Sequence, residues 1–296
     1  MHTYRGEIAA LIVSVVWTAT ALVFSDATKR VGSMAVNYIK LFIGIFLMSI
    51  YCYIARGLVF PTDAGIHQWL WLSISGIIGF ILCDLFLFKS FNMIGVRLSM
   101  LIMTLAPPLT ALGGLIFLGE RLYWMKILAI LVTITGIALT IVTQPNGDKG
   151  KSKVNKAGVL FAFTGAVGQA AGFLFSKIGM QGYDPMASSQ IRIIGAIVGF
   201  TLLILVLKRY ESSWRALKNV QAMKLILFGS FFGPFIGVGL SLYSIQHANT
   251  GIASTLMAMV PVFIIFPSVY LYKQPITKGE IAGTIISIAG VALFFI

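Results

Sequence analysis

The sequence predicts an all-α membrane protein of ten transmembrane helices, built as two inverted five-helix repeats. Three observations predict it. Only 10% of the 296 residues are charged while 58% are hydrophobic, too few charges to coat a soluble domain of this size. The apolar residues gather into ten runs of near membrane length. Residues 255–296 match residues 101–142 at a constant offset of 154.

The runs fall at about 6–25, 33–55, 68–90, 97–118, 122–143, 157–177, 186–207, 222–245, 251–272 and 276–296. At ~1.5 Å per residue each crosses, or nearly crosses, ~30 Å of hydrocarbon as a helix. They are continuous rather than alternating, which excludes barrel strands. The first run follows Arg5 and ends without a small-residue cleavage site, so it is expected to be retained as a helix. Short polar connections suit antiparallel neighbours. The exception is "TQPNGDKGKSKVNK" at 143–156, whose Pro, Gly, Asn and Lys residues oppose helix and burial. The predicted organisation is therefore 1–145, a polar linker at 146–156, and 157–296.

Residues 101–142 align with 255–296 without a gap. Met103 meets Met257, Pro107 meets Pro261, and Gly136 meets Gly290. In the second helix an offset of 152 brings Met34-Ala35 onto Met186-Ala187 and Lys40 onto Arg192. Five crossings per half is odd, so the second half enters the membrane upside down. Inverted repeats of this kind build secondary transporters, whose sites lie near the midplane where the repeats meet.

The stretch "GLIFLGERLYWMKILAILVTITGIAL" at 114–139 resembles the fourth and fifth helices of the drug/metabolite transporter superfamily, EamA type. The Trp17 helix, the basic residue early in the second helix and the proline in the fourth fit the same pattern. The resemblance covers the whole chain. It implies transport of small metabolites, often as export, with helices 1–4 and 6–9 around a central cavity and helices 5 and 10 at its margin. Two departures stand out. "YKQP" at 272–275 replaces "LGER" at 118–121, so Glu120 has no acidic counterpart. The first helix carries no deep glutamate, only Glu7 near its start. Proton exchange through such a residue is not supported.

Charged residues inside apolar runs cost ~3 kcal/mol on insertion scales, so they mark function or pairing. Lys40 and Arg192 are expected to face the cavity and meet a substrate carboxylate or phosphate; the bland alternative for Lys40 is snorkelling to headgroups. Asp84 either pairs with Lys89 or Arg97, or meets a substrate amine. Gln169 and Gln190 bring amides into membrane helices, for substrate or for interhelical hydrogen bonds. Trp17, Tyr38, Phe88, Phe173 and Tyr243 are candidate walls. Pro107, Pro108, Pro234 and Pro261 are candidate hinges or gates, since each frees a carbonyl that must be met inside the bundle.

The other readings fare worse. His2, His67 and His247 are scattered, and Cys52 and Cys83 lack ligand spacing, so neither enzyme, metal site nor cofactor is expected. There is no Walker motif for ATP-driven transport. The net charge of +13 sits in short segments between apolar runs, a record of orientation rather than a nucleic-acid surface. Five Lys/Arg flank the side bearing the termini and fifteen flank the other; the positive-inside rule then places the termini outside, whereas relatives in the superfamily are usually drawn with them in the cytoplasm. The expectation is a multi-pass protein of a bacterial or archaeal cell membrane, monomer or homodimer, whose partners are lipid, a small substrate and an unidentified coupling ion. It exports an amino-acid-like metabolite by alternating access. Export of hydrophobic cations is the second transport reading, and a non-transporting receptor or assembly subunit the alternative of another class.

Overall fold

In the computed structural model the described residues are 4–143, 155–208, 216–263, 265–270 and 276–294, without the side chains of 95–98, 100, 101, 261, 268 and 269. Nearly all of the 146–156 linker lies outside them. The described residues are helical, with no strand among them.

The first half comprises α1 (Arg5–Val31), α2 (Ser33–Arg56), α3 (Ile66–Gly76), α4 (Phe86–Met103), α5 (Ala106–Phe117) and α6 (Trp124–Thr143). The second comprises α7 (Lys156–Met180), α8 (Pro185–Val206), α9 (Val220–Ser230), α10 (Val238–His247), α11 (Thr250–Met257), α12 (Val260–Phe263), α13 (Ile265–Tyr270) and α14 (Lys278–Ala292). A single residue, Gly32, separates α1 from α2. Its φ of 85° belongs to a backbone region that other residues rarely enter, so this turn needs glycine.

Seven helical spans among the described residues are long and apolar enough to cross a membrane. The fourth and ninth runs, the two in which Pro107, Pro108 and Pro261 are candidate hinges, are each interrupted. The fourth breaks at Thr104-Leu105 and the ninth at Ala258-Met259, each just ahead of a proline in the second position of the helix that follows. There the ring's missing N–H costs little, because the first turn of a helix has no internal acceptors for it. The span of α4 is not one straight helix, because it turns back between Ser90 and Ser99 and so joins the third run to the fourth. Ser90 Oγ lies 2.8 Å from Ser99 Oγ, whereas nine residues of straight helix would separate them by ~13 Å.

Two π-helical stretches interrupt the bundle, Ile77–Leu85 between α3 and α4 and Phe231–Gly237 between α9 and α10. Each sits in the third helical run of its half, and their starts differ by the same 154 residues as the aligned sequences. The helix breaks at 104–105 and 258–259 repeat at that offset too. Wide turns and breaks are where helix backbones yield to function.

The halves interleave. α3 packs on α7 and α8, while α1 packs on α9 and α10; α5 meets α7 as α11 meets α1; α6 pairs with α14 along its length. In lipid the drive for this is close van der Waals contact rather than water release, so small residues mark the seams. A Cβ on Gly283 would lie 2.6 Å from the Thr140 nitrogen and 2.7 Å from the Gly136 oxygen. The α3–α7 seam adds hydroxyl bonds: Ser75 Oγ donates to the Gly172 carbonyl at 2.6 Å and lies 2.7 Å from Ser176 Oγ.

Candidate functional site

A cavity of about 210 Å³ lies between the halves. α1 contributes Trp17, Thr20 and Phe24, and the π-helical stretch after α3 contributes Gly79, Phe80, Cys83 and Asp84. Lys40 comes from α2, Gln169 and Phe173 from α7, and Arg192 from α8. The second π-helical stretch supplies Gly233 and Pro234, and the two helix breaks supply Thr104 and Ala258. Thus both wide turns and both breaks converge here, and α6 and α14 supply no lining residue.

Lys40 is 4% exposed and does not reach out to headgroups. Its Nζ donates to Asp84 Oδ2 at 2.5 Å. The ammonium also lies 5.4 Å from the Phe24 ring centre, 5.9 Å from Phe80 and 5.1 Å from Phe88, distances at which ring faces attract cations. Asp84 therefore pairs with Lys40 rather than Lys89, whose Nζ sits 4.4 Å from the Phe161 ring centre; the side chain of Arg97 lies outside the described residues. Arg192 places its guanidinium carbon 5.5 Å from the centre of the same Phe80 ring. Its Nε is buried without a hydrogen-bond partner. Helix α8 reaches this position because α3 ends on Gly76, where a Cβ would lie 2.6 Å from the Arg192 carbonyl carbon. Likewise Gly237 leaves room for the Trp17 indole, whose Nε1 would be 2.6 Å from a Cβ.

The lining runs from the middle of the bundle toward the face bearing the α1–α2 turn, reaching Phe24, Phe88 and Phe91. The opposite face is packed. Leu72, Ile130, Met180, Ile191, Leu242 and Leu256 form a buried cluster there, overlaid by polar links between the halves. Lys177 Nζ donates to Glu120 Oε1 at 2.6 Å and to the Ala248 carbonyl at 2.8 Å. Glu120 Oε2 accepts from the backbone N–H and hydroxyl of Thr250, both at 2.8 Å, and so caps the first turn of α11. Arg56 donates to Asp63 Oδ2 at 2.5 Å, and the Tyr183 hydroxyl donates to Asp63 Oδ1 at 2.7 Å. That hydroxyl, with Arg56 beside it, holds the Asp63 carboxyl below the usual carboxylate range. Burial, then the bond to Asp63, pushes the Tyr183 phenol up to about 12.

Of the candidates from sequence, the structure brings together Trp17, Lys40, Asp84, Gln169, Arg192, Pro107 and Pro234, with Phe88 and Phe173. It places others elsewhere. Tyr38 bonds Thr201 Oγ1 at 2.9 Å, and Tyr243 stacks on His247 with ring centres 4.2 Å apart. The Gln190 amide donates to Ser49 Oγ at 2.9 Å and to the Val59 carbonyl at 2.7 Å, tying α8 to the end of α2. Pro108 is absent from the lining, and the ring of Pro261 lies outside the described residues. Sequence reasoning passed over Phe24 and Phe80. Both sit at helical spacing from recognised residues: Phe24 is seven after Trp17, and Phe80 is four before Asp84.

A bundle of apolar helices in two structural repeats around a charged central cavity defines an integral-membrane, transporter-like protein, multi-pass rather than anchored. The profile of the EamA-like transporter family matches residues 4–142 and 156–296, and the chain belongs to that family. An uncharacterized transporter of Archaeoglobus fulgidus is 23% identical over 218 residues, 73% of this chain and 74% of that one. A solved crystal structure superposes with a TM-score of 0.74 at 17% identity, covering 99% of this chain and 96% of the other, which shows a shared fold.

Proposed function

We propose that the protein is a secondary transporter that exports a small amino-acid-like metabolite by alternating access, using the cavity around Lys40, Asp84 and Arg192 as its substrate site. The observation that carries this reading is the meeting of both charge signs in one cavity between the repeats. The Lys40–Asp84 pair is neutral, which leaves the Arg192 guanidinium as the net charge. An unpaired buried guanidinium suits a carboxylate, which it binds with two parallel hydrogen bonds. The volume of about 210 Å³ is below the ~300–1,000 Å³ typical of drug-sized ligands. Together with the neutralised Asp84, it favours a metabolite over a bulky hydrophobic cation.

The repeated π-helical stretches and helix breaks support rocking between two related packings, because each half holds the same pair of soft points. On this reading 1–145 and 157–296 are the two repeats, each crossing the membrane five times, and catalysis has no part. The cavity's lining extends toward the face with fifteen flanking cations; the positive-inside rule supports reading that face as cytoplasmic and the termini as outside.

The test is net leucine efflux from proteoliposomes, with leucine counterflow measured beside it. Lys40→Gln and Arg192→Gln are each expected to lower net transport at least tenfold with normal expression, about 1.4 kcal/mol or more of lost stabilisation. Undiminished flux in both variants refutes the site. A cysteine placed at 148 is expected to react with impermeant thiol reagents only from the cytoplasmic side; labelling from outside intact cells reverses the orientation.

A further inference from the structure

We propose that Lys40 is a tethered stand-in for the substrate's ammonium group. In the unloaded protein its Nζ fills a cation site made by the Asp84 carboxylate and the rings of Phe24, Phe80 and Phe88; when substrate binds, a primary ammonium takes that place. The inference rests on the transport reading above and names the chemistry of one half of the substrate.

The geometry is that of a cation receptor with its cation already attached. One carboxylate oxygen lies 2.5 Å from Nζ and three ring centres lie within 6 Å of it. Such rings bind ammonium ions by their negative faces, more strongly where water is excluded. Burial differs across the pair: the Lys40 side chain is 5% exposed and that of Asp84 is 25% exposed. Both residues line the cavity, and Asp84 is the more accessible member of the pair. A lysine stem has four rotatable carbons and can withdraw, which an anion-binding role would not require.

The second charge of the substrate has its place too. Arg192 approaches the Phe80 ring to 5.5 Å, and its Nε is unpartnered. An α-amino acid carries ammonium and carboxylate one carbon apart, and here the ammonium held by Asp84 and the Arg192 guanidinium both lie within 6 Å of the Phe80 ring centre. The arrangement also explains how the empty protein can reorient. A bare Asp84 in a closed, low-dielectric site would be costly. Lys40 keeps the site neutral between substrates, and the substrate's ammonium does so during passage.

The experiment measures binding of isoamylamine, the carboxylate-free analogue of leucine, to purified protein by calorimetry. Removing a built-in competitor raises apparent affinity by the inverse of the fraction of time the site is free, so Lys40→Gln is expected to bind the amine about tenfold tighter than wild type. Net transport by the same variant falls, because nothing neutralises Asp84 on the return step. The double variant Lys40→Gln/Asp84→Asn is expected not to bind the amine. If folded Lys40→Gln binds isoamylamine no tighter than wild type, or not at all, the inference is overturned. Where Lys40→Gln does not fold, Lys40→Arg decides: its two-pronged grip on Asp84 must weaken amine binding at least about threefold, and an unchanged affinity overturns the inference. The transport reading is judged separately, by leucine counterflow in wild type and its loss in Arg192→Gln. Counterflow without amine tightening removes the tethered lysine and leaves the transporter.

Discussion

Replacing Glu120 by Gln and Lys177 by Met, singly and together, measures how firmly the closed face is tied. The Glu120 carboxylate accepts three hydrogen bonds from Lys177 and Thr250 at 2.6–2.8 Å. The side chains are 12% and 25% exposed for Glu120 and Lys177, so solvent screens the pair only in part. Bonds to charged groups contribute ~1.5–3 kcal/mol each, and removing one member of a buried pair costs ~3–5 kcal/mol. Partial exposure lowers both figures. Glu120→Gln, which keeps the shape and one acceptor, is therefore expected to destabilise by about 2 kcal/mol, and the coupling in the double-mutant cycle to be about 1 kcal/mol. The two cysteines offer the readout, since Cys52 and Cys83 are free and buried: a thiol-reactive dye reports unfolding as they become exposed. A coupling below ~0.3 kcal/mol would refute the reasoning, because additive losses mean that the pair does not act as a unit.

Gly283→Ala is expected to cost ~1–3 kcal/mol by overpacking the α6–α14 seam, where its Cβ would lie 2.6 Å from a backbone nitrogen; unchanged melting of the purified protein counts against the close approach. Tyr183→Phe tests the Asp63 cluster through pH. A carboxyl held low contributes stability that is present above its unfolded pKa of ~3.9 and is lost as pH falls through the folded value. Melting scans between pH 3 and 7 are expected to show wild type ahead of Tyr183→Phe at neutral pH and the gap closing below about pH 4. A gap independent of pH would assign the loss to packing.

The legible part of the site was its charge. Lys40, Asp84 and Arg192 stand out because hydrocarbon makes each of them expensive, and the repeat pairs Lys40 with Arg192 before any coordinates exist. Their partners were not legible. Asp84 has Lys89 close in sequence and Lys40 far from it, and only packing of α2 against the π-helical stretch chooses Lys40. Pro234 announces one wide turn, but Ile77–Leu85 contains no proline, so its counterpart carries no local signal. Gln190, open in sequence to substrate or to interhelical hydrogen bonds, uses its amide nitrogen to bond Ser49 and Val59, a choice of partner that only the packing of α8 against α2 makes. Aromatic residues were least informative, since Phe facing lipid, core or cavity looks alike in a chain with 22 of them.

The sequence by itself determined the membrane class, the helical runs, the 154-residue repeat and the family, because each is a property of composition, run length or register along one dimension. The prolines of the fourth and ninth runs marked candidate hinges, but tertiary structure alone decided that one face is packed shut and that Phe24, Phe80 and Phe88 surround the Lys40 ammonium. Those outcomes depend on which residues from different helices share a few ångströms, and on where glycines let backbones meet. Apolar periodicity constrains neither of these, because in lipid every face of a helix can be apolar.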